Sequence, residues 1–188
     1  GTGDAVLQAE PAIDEEFLVL NGDRVIDSAV LSAVIEARQN TGETVMAVTR
    51  AEEPELYGVV ELDGERVTRI VEKPQPHQIS SDVINAGVYA FGPEIFPAIR
   101  ETSAHGELAL TDVLSKRLDE EPIRAVRERG SWFDVTRPWD LLAVNAALLE
   151  DEPQPERAGV HETAAIAPAV SLGADVAVYP NATVLSGT

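Results

Sequence analysis

The stretch Phe17–Asp23, FLVLNGD, constrains the fold of this chain more than any other. Its apolar residues stop abruptly at Asn-Gly-Asp, and an unbroken apolar run bounded by turn formers reads as a strand buried on both faces, as in a parallel sheet flanked by helices. Asp23 then falls just past the strand's carboxyl end, where open α/β sheets bind ligands. Taken alone, Asp23 is either a solvated turn residue or a carboxylate placed to hold a metal or a sugar hydroxyl.

The segments that follow extend this into an α/β pattern. Asp27 or Ser28 can cap a helix whose Val30, Leu31, Val34 and Ile35 fall at helical spacing, with Gly42 beyond its end. Thr44–Thr49 is a second buried strand, so strand, helix and strand make a βαβ crossover; Ala5–Ala9 is a short helix ahead of it. Asp63-Gly64 lies between Gly58–Leu62 and Arg66–Glu72, a strong hairpin signal, and Lys73-Pro74 closes the unit. Val83–Phe91 is a strand interrupted by Gly87, a position that marks close approach of a ligand or another backbone. Pro93–Arg100 and Thr111–Leu118 read as helices, the second capped by Thr111 or Asp112. Ile123–Val126 and Trp132–Val135 read as short strands, and Pro138–Leu149 as a helix. Trp132 and Trp139 read as core packing.

Glu150–Glu156, with Pro153 and Pro155 among acids, reads as a linker, and beyond it the period changes. Val160, Ile166, Leu172, Val178 and Val184 recur every six residues, with Ala164, Val170, Val176, Ala182 and Thr188 at a fixed offset. Period six belongs to a β-solenoid with three short faces per turn, its aliphatics inward and its tight corners at Gly173 and Asn181. Less than two full turns are present, so the expected organisation is a domain over 1–150, a linker over 151–159 and a truncated solenoid over 160–188.

Charge narrows the function classes. The 188 residues carry 14 basic and 33 acidic side chains, a net charge of -19, which makes nucleic acid and anionic membranes poor partners. Lys73 and Lys116 are the only lysines, and a surface rich in carboxylate and poor in lysine suits a halophilic protein whose self-repulsion is screened by salt. There is no cysteine, which excludes disulfides and thiolate chemistry. No apolar run is long enough to span a bilayer and no signal-peptide pattern is present, so a cytoplasmic location is expected.

Taken together, Gly1-Thr2-Gly3-Asp4-Ala5, LNGD at 20–23, YGVVE at 57–61, VEKP at 71–74, NAGVY at 85–89, GELALTD at 106–112 and WFDVTRPWDLLAVN at 132–145 resemble the sugar-1-phosphate nucleotidyltransferases. The order is that of the family's members with a C-terminal hexapeptide-repeat β-helix, and the last motif looks most like archaeal members that join nucleotidyl transfer to an acetyltransferase-like helix. The resemblance implies a Rossmann-like mixed, mostly parallel sheet followed by the start of a left-handed parallel β-helix. It also implies transfer of a nucleotidyl group from UTP or dTTP to a sugar 1-phosphate of the glucose or N-acetylglucosamine type. By the same resemblance Asp23 and Asp134 hold Mg²⁺, though read alone Asp134 also fits a helix cap before Pro138. Lys73 sets a compact ammonium against the sugar phosphate. Glu72, Tyr57, Gly58, Asn85, Gly87 and Glu107 line the sugar pocket, and Gly1 and Thr2 touch the nucleotide. His161 is the one histidine that fits an acyltransferase base; His77 and His105 read as surface residues.

The family's glycine-rich triphosphate loop belongs ahead of Gly1, and no glycine-rich loop followed by lysine occurs in these residues. Without an initiator Met, and ending in mid-repeat, the chain reads as a piece of a longer protein, inactive or nearly so by itself. Two other roles fit the motifs: a non-catalytic sugar-phosphate-binding subunit, and the acetyltransferase half of a bifunctional enzyme. A trimer through the β-helix is the oligomer that the resemblance implies.

Overall fold

A computed structural model describes residues 1–103, 109–127, 131–150 and 159–186, which fall into two compact units, Gly1–Trp132 and Phe133–Thr188. In the first unit the elements are α1 (Thr2–Gln8), β1 (Phe17–Leu20), β2 (Arg24–Ile26), α2 (Ser28–Thr41), β3 (Thr44–Arg50), β4 (Gly58–Asp63), β5 (Arg66–Glu72), β6 (Val83–Phe91), α3 (Ile95–Ser103), α4 (Leu110–Arg117) and β7 (Ile123–Arg127). The first helix starts earlier than the apolar pattern of Ala5–Ala9 indicates, because Gly1 and Asp4 close its first turn.

Local chemistry explains most element boundaries. Asp27 caps α2 by accepting from Ala29 N at 2.8 Å, and Gly42 ends the helix in the left-handed region at φ 68°. Gly64, at φ 63°, turns the β4–β5 hairpin, whose strands pair from Gly58↔Glu72 to Asp63↔Arg66.

The six-stranded sheet runs in the order β1-β6-β3-β7-β5-β4, and β4 also pairs with β6. It is mixed: β3 and β7 pair in parallel, whereas β6 is antiparallel to β1, β3 and β4. Strands β1, β3, β4 and β7 therefore share a direction, with β6 inserted between β1 and β3. This corrects the reading of Phe17–Leu20 as a strand buried on both faces. It lies at the edge of the sheet, half-buried through Val19 and with Leu20 46% exposed, because among the described residues only β6 flanks it.

Alternation along the strands divides the core between two faces. Val45 and Ala47 of β3 and Ala86, Val88 and Ala90 of β6 meet Val30 and Val34 of α2. Met46 and Val48, with Tyr89 and Phe91, meet Phe96 and Ile99 of α3 and Leu110, Val113 and Leu114 of α4. The sheet is thus covered by α2 on one face and by α3 and α4 on the other. The helix α4 corrects another expectation: its N-cap is Ala109, and neither Thr111 nor Asp112 caps it.

Strand β8 (Trp132–Asp134) crosses the unit boundary, and α5 (Asp140–Glu150) follows in the second unit. Trp139 is 61% exposed with the Arg137 guanidinium over its ring, so it is not core packing. The linker expected over 151–159 lies, apart from Gly159, outside the described residues. Beyond it, β9 (Ala165–Ile166) pairs in parallel with β10 (Thr183–Val184), and Val160 bridges Val178. Each partner is 18 residues from its mate, the separation that also joins Thr163 Oγ1 to Asn181 N at 3.1 Å. Of the aliphatics at six-residue spacing, Leu172 and Val178 are buried and Val160, Ile166 and Val184 half-buried. Asn181 takes a left-handed corner at φ 61°; of the glycines it is Gly159, at φ 72°, rather than Gly173 that does so. Among the described residues no helix is long and apolar enough to cross a membrane.

Candidate functional site

The first half of β6 is the floor on which the candidate residues of the first unit converge. Gly87 has φ 80°, which puts a bend in the strand, and its carbonyl accepts from Asn21 N at 2.9 Å just beyond β1. The Asn21 side chain lies where a Cβ on Gly87 would stand, its Nδ2 only 2.8 Å from that point. The close approach implied by a glycine within a strand is therefore made by Asn21. Asn85, on the same strand face two residues earlier, uses both ends of its amide internally. Its Oδ1 accepts from Gly87 N at 3.0 Å, and its Nδ2 donates to the Tyr89 hydroxyl. Burial pushes the Tyr89 phenol from its ordinary value of 10 up to about 12, the Asn85 bond opposing and the nearby Glu72 carboxylate adding to the shift.

The ends of the β4–β5 hairpin bring four further residues to this floor. Tyr57 O accepts from Lys73 N at 3.0 Å, joining the two strands just outside the Gly58↔Glu72 pair. A Cβ on Gly58 would lie 2.9 Å from Glu72 Oε2, 3.3 Å from Thr111 Cγ2 and 3.7 Å from Asn85 Cβ, so a side chain at position 58 would push the carboxylate out of this place. Lys73 is exposed, and its ammonium makes no hydrogen bond or ion pair among the described residues. Its backbone sits at φ 41°, in the left-handed region that non-glycine residues avoid.

Asp23 follows the turn after β1, with its side chain 57% exposed and Oδ1 3.7 Å from Arg24 Nη1. The Arg24 guanidinium lies over the rings of Tyr57 at 5.7 Å and Trp132 at 5.3 Å, and Trp132 donates its indole N–H to Ala86 O at 2.9 Å. Trp132 is half-buried beside the α2-side core, as expected of core packing, while presenting a ring face to Arg24. Thr2, expected at the nucleotide, accepts at Oγ1 from Leu110 N at 2.8 Å, and the Gly1 amino group pairs with Asp4 at 3.0 Å.

Asp134 belongs to the second unit. Its Oδ1 accepts the Thr136 hydroxyl at 2.7 Å, while the backbone amides ahead of α5, Thr136 N and Arg137 N, go to Asp140 at 3.0 and 2.6 Å. Asp140 therefore does the capping work that Asp134 offered as its alternative role. Glu107 and His105 lie outside the described residues; His77 and His161 are exposed. Among the described residues no group of three or more His, Cys, Asp or Glu side chains stands close enough to cage a metal.

Two contributors escaped sequence reasoning. Arg24 had a signal in its position beside Asp23, though nothing local foretold its contact with two rings. Tyr89 had a clearer one, since Asn85, Gly87 and Tyr89 share a strand face by period two. Chemically, the first unit presents an ammonium, a carboxylate and an exposed aspartate around a glycine-lined floor, a set suited to a hydroxyl-rich anion.

The family model described as nucleotidyl transferase matches residues 1–151. The "Bifunctional protein GlmU" of Methanocaldococcus jannaschii is 39% identical over 153 residues, covering 80% of this chain and 36% of that protein. The "Putative UTP--glucose-1-phosphate uridylyltransferase" of the same organism is 32% identical over 158 residues, covering 79% of this chain and 56% of its own length. A solved UDP-glucose pyrophosphorylase complexed with UDP-glucose superposes with a TM-score of 0.71 at 25% identity, over 81% of this chain and 63% of that one. The chain thus spans between about a third and somewhat over half of the length of these curated relatives.

Proposed function

The chain belongs to the nucleotidyl transferase family, and on that premise we propose that it carries the sugar-phosphate side of an enzyme that makes nucleotide sugars. In the reaction an oxygen of the sugar 1-phosphate attacks the α-phosphorus of a nucleoside triphosphate. The bond to the β,γ-diphosphate breaks, and pyrophosphate leaves with the electron pair. UTP as donor and glucose 1-phosphate as acceptor fit the names of the relatives above, and the same motifs leave dTTP and N-acetylglucosamine 1-phosphate as the other pair to test.

The observation that carries this reading is the Glu72–Lys73 step. A left-handed backbone costs a non-glycine residue about 1–2 kcal/mol, and here it is kept at one of only two lysines, beside a carboxylate seated over Gly58. Lys73 neutralises the sugar phosphate, while Glu72, Tyr57, Gly58, Asn85, Gly87 and Glu107 surround the sugar, with Gly1 and Thr2 toward the nucleotide. Because the Asn85 amide is already engaged at both ends, its part is to shape the floor.

The family resemblance names Asp23 and Asp134 as the residues that would hold Mg²⁺, and each carboxylate taken by itself has the donor chemistry for it. Mg²⁺ takes one or two carboxylates and fills its remaining positions with water and phosphate oxygens, and the exposed Asp23 carboxylate has lone pairs to give. When bound, the ion would neutralise charge on the triphosphate. The 18-residue register supports reading 160–188 as the beginning of a β-solenoid. Its left hand, the linker at 151–159, the transferase domain over 1–150 and a trimer as the assembly are carried over from the family resemblance alone.

The test is Mg²⁺-dependent pyrophosphate release in high salt, with UTP and dTTP against both sugar phosphates. The 188 residues are compared with a version extended at the N-terminus by a glycine-rich, lysine-bearing loop. Release only from the extended chain, lost in Asp23→Ala, is the expected result. Silence from both, with sugar phosphate still bound, would assign a regulatory role instead.

A further inference from the structure

Thr111 was expected to cap α4, but it lies inside the first turn with its side chain turned toward the sheet. It is 5% exposed, and its Oγ1 donates to Glu72 Oε2 at 2.8 Å. The same Oε2 and the Thr111 methyl group occupy the space that the missing side chain of Gly58 leaves open. One turn further along α4, Ser115 Oγ donates to the backbone carbonyl of Ile70 at 3.2 Å, so the helix is pinned to β5 at two points two residues apart. The start of the helix is itself held by Thr2 Oγ1 at Leu110 N.

We propose that Thr111 is a positioning residue: its hydroxyl fixes the Glu72 carboxylate over Gly58 through Oε2, leaving Oε1 for the hydroxyls of a sugar 1-phosphate. This rests on the reading of Glu72 as a sugar contact. A glutamate on an exposed strand end otherwise spreads over several rotamers, and binding must then order it. A hydrogen bond to an ionised carboxylate removes much of that cost, and its donor must be a hydroxyl at this position. Serine preserves the donor, whereas valine preserves the shape without it.

The test titrates the full 188-residue chain and its variants with α-D-glucose 1-phosphate by calorimetry in high salt, and follows the ¹³C carboxyl resonance of Glu72 without ligand. Thr111→Val is expected to weaken binding about tenfold and to move the Glu72 resonance, with Thr111→Ser close to the parent in both. In a Glu72→Ala background, Thr111→Val should cost nothing further. The proposal is overturned if Glu72→Ala weakens binding while Thr111→Val binds like the parent, if Thr111→Ser is as weak as Thr111→Val, or if the Glu72 resonance ignores Thr111→Val. Equal binding by the parent and Glu72→Ala overturns the sugar-contact reading first, and the proposal with it. Comparable melting temperatures across the set exclude a folding defect as the cause.

Discussion

At Lys73, backbone and side chain pull in different directions. Lys73→Gly relieves a strained φ of 41° but adds the entropy of a freer unfolded chain, two effects of about 1 kcal/mol each and opposite sign. Its melting temperature should therefore stay close to that of the parent while sugar phosphate binding collapses; a large loss of stability would mean that the lysine serves the fold. Tyr89 ties stability to pH. Its phenol is raised from 10 to about 12 in the folded chain, so its stabilising effect is complete below pH 10 and is lost as pH climbs toward 12. Chemical denaturation between pH 9 and 12 should show a decline that Tyr89→Phe makes shallower. Residues whose duty is local were legible in advance: Asp27 as a cap, Gly64 in a hairpin turn, Gly87 as a point of close approach. Thr111 was not, since a threonine at a helix start is by habit a cap, and what redirects it is Glu72, far off in sequence. Arg24 was hidden for the same reason, its aromatic partners coming from Tyr57 and Trp132.

The elements themselves were readable from period and punctuation, but their order across the sheet was not. Nothing in Phe17–Leu20 says that an antiparallel β6 will separate it from β3, because an apolar run looks alike beside either kind of neighbour. The helix α2 shows how side chains fasten an element once it is placed. Arg38, 7% exposed, gives Nε to Glu16 at 2.8 Å, Nη1 to Gly42 O at 2.7 Å and Nη2 to Glu94 at 3.0 Å. It thereby joins the end of α2 to the segments before β1 and after β6. Arg38→Ala should cost about 2–3 kcal/mol, less than a fully buried pair, because both glutamates are half-exposed. Urea unfolding measures this, and a change under about 0.5 kcal/mol would reduce the cluster to a surface ornament.

For the whole molecule, a net charge of -19 means that folding gathers mutually repelling carboxylates into a smaller volume. Salt shortens the reach of that repulsion while leaving the apolar core intact, so the melting temperature should rise from dilute buffer to concentrated potassium chloride. A flat or falling profile would remove the case for a halophilic surface. The charge and the six-residue repeat were both legible because each is summed over many positions and survives local error. The 18-residue register of the second unit carries a consequence for how such chains vary in length. One residue gained or lost between Val160 and Val184 would rotate every later aliphatic away from the interior, whereas a whole block of 18 would return each to its place. Heritable changes in length are thereby quantised, and each quantum extends the body by one strand spacing of about 4.8 Å, so counting residues measures height.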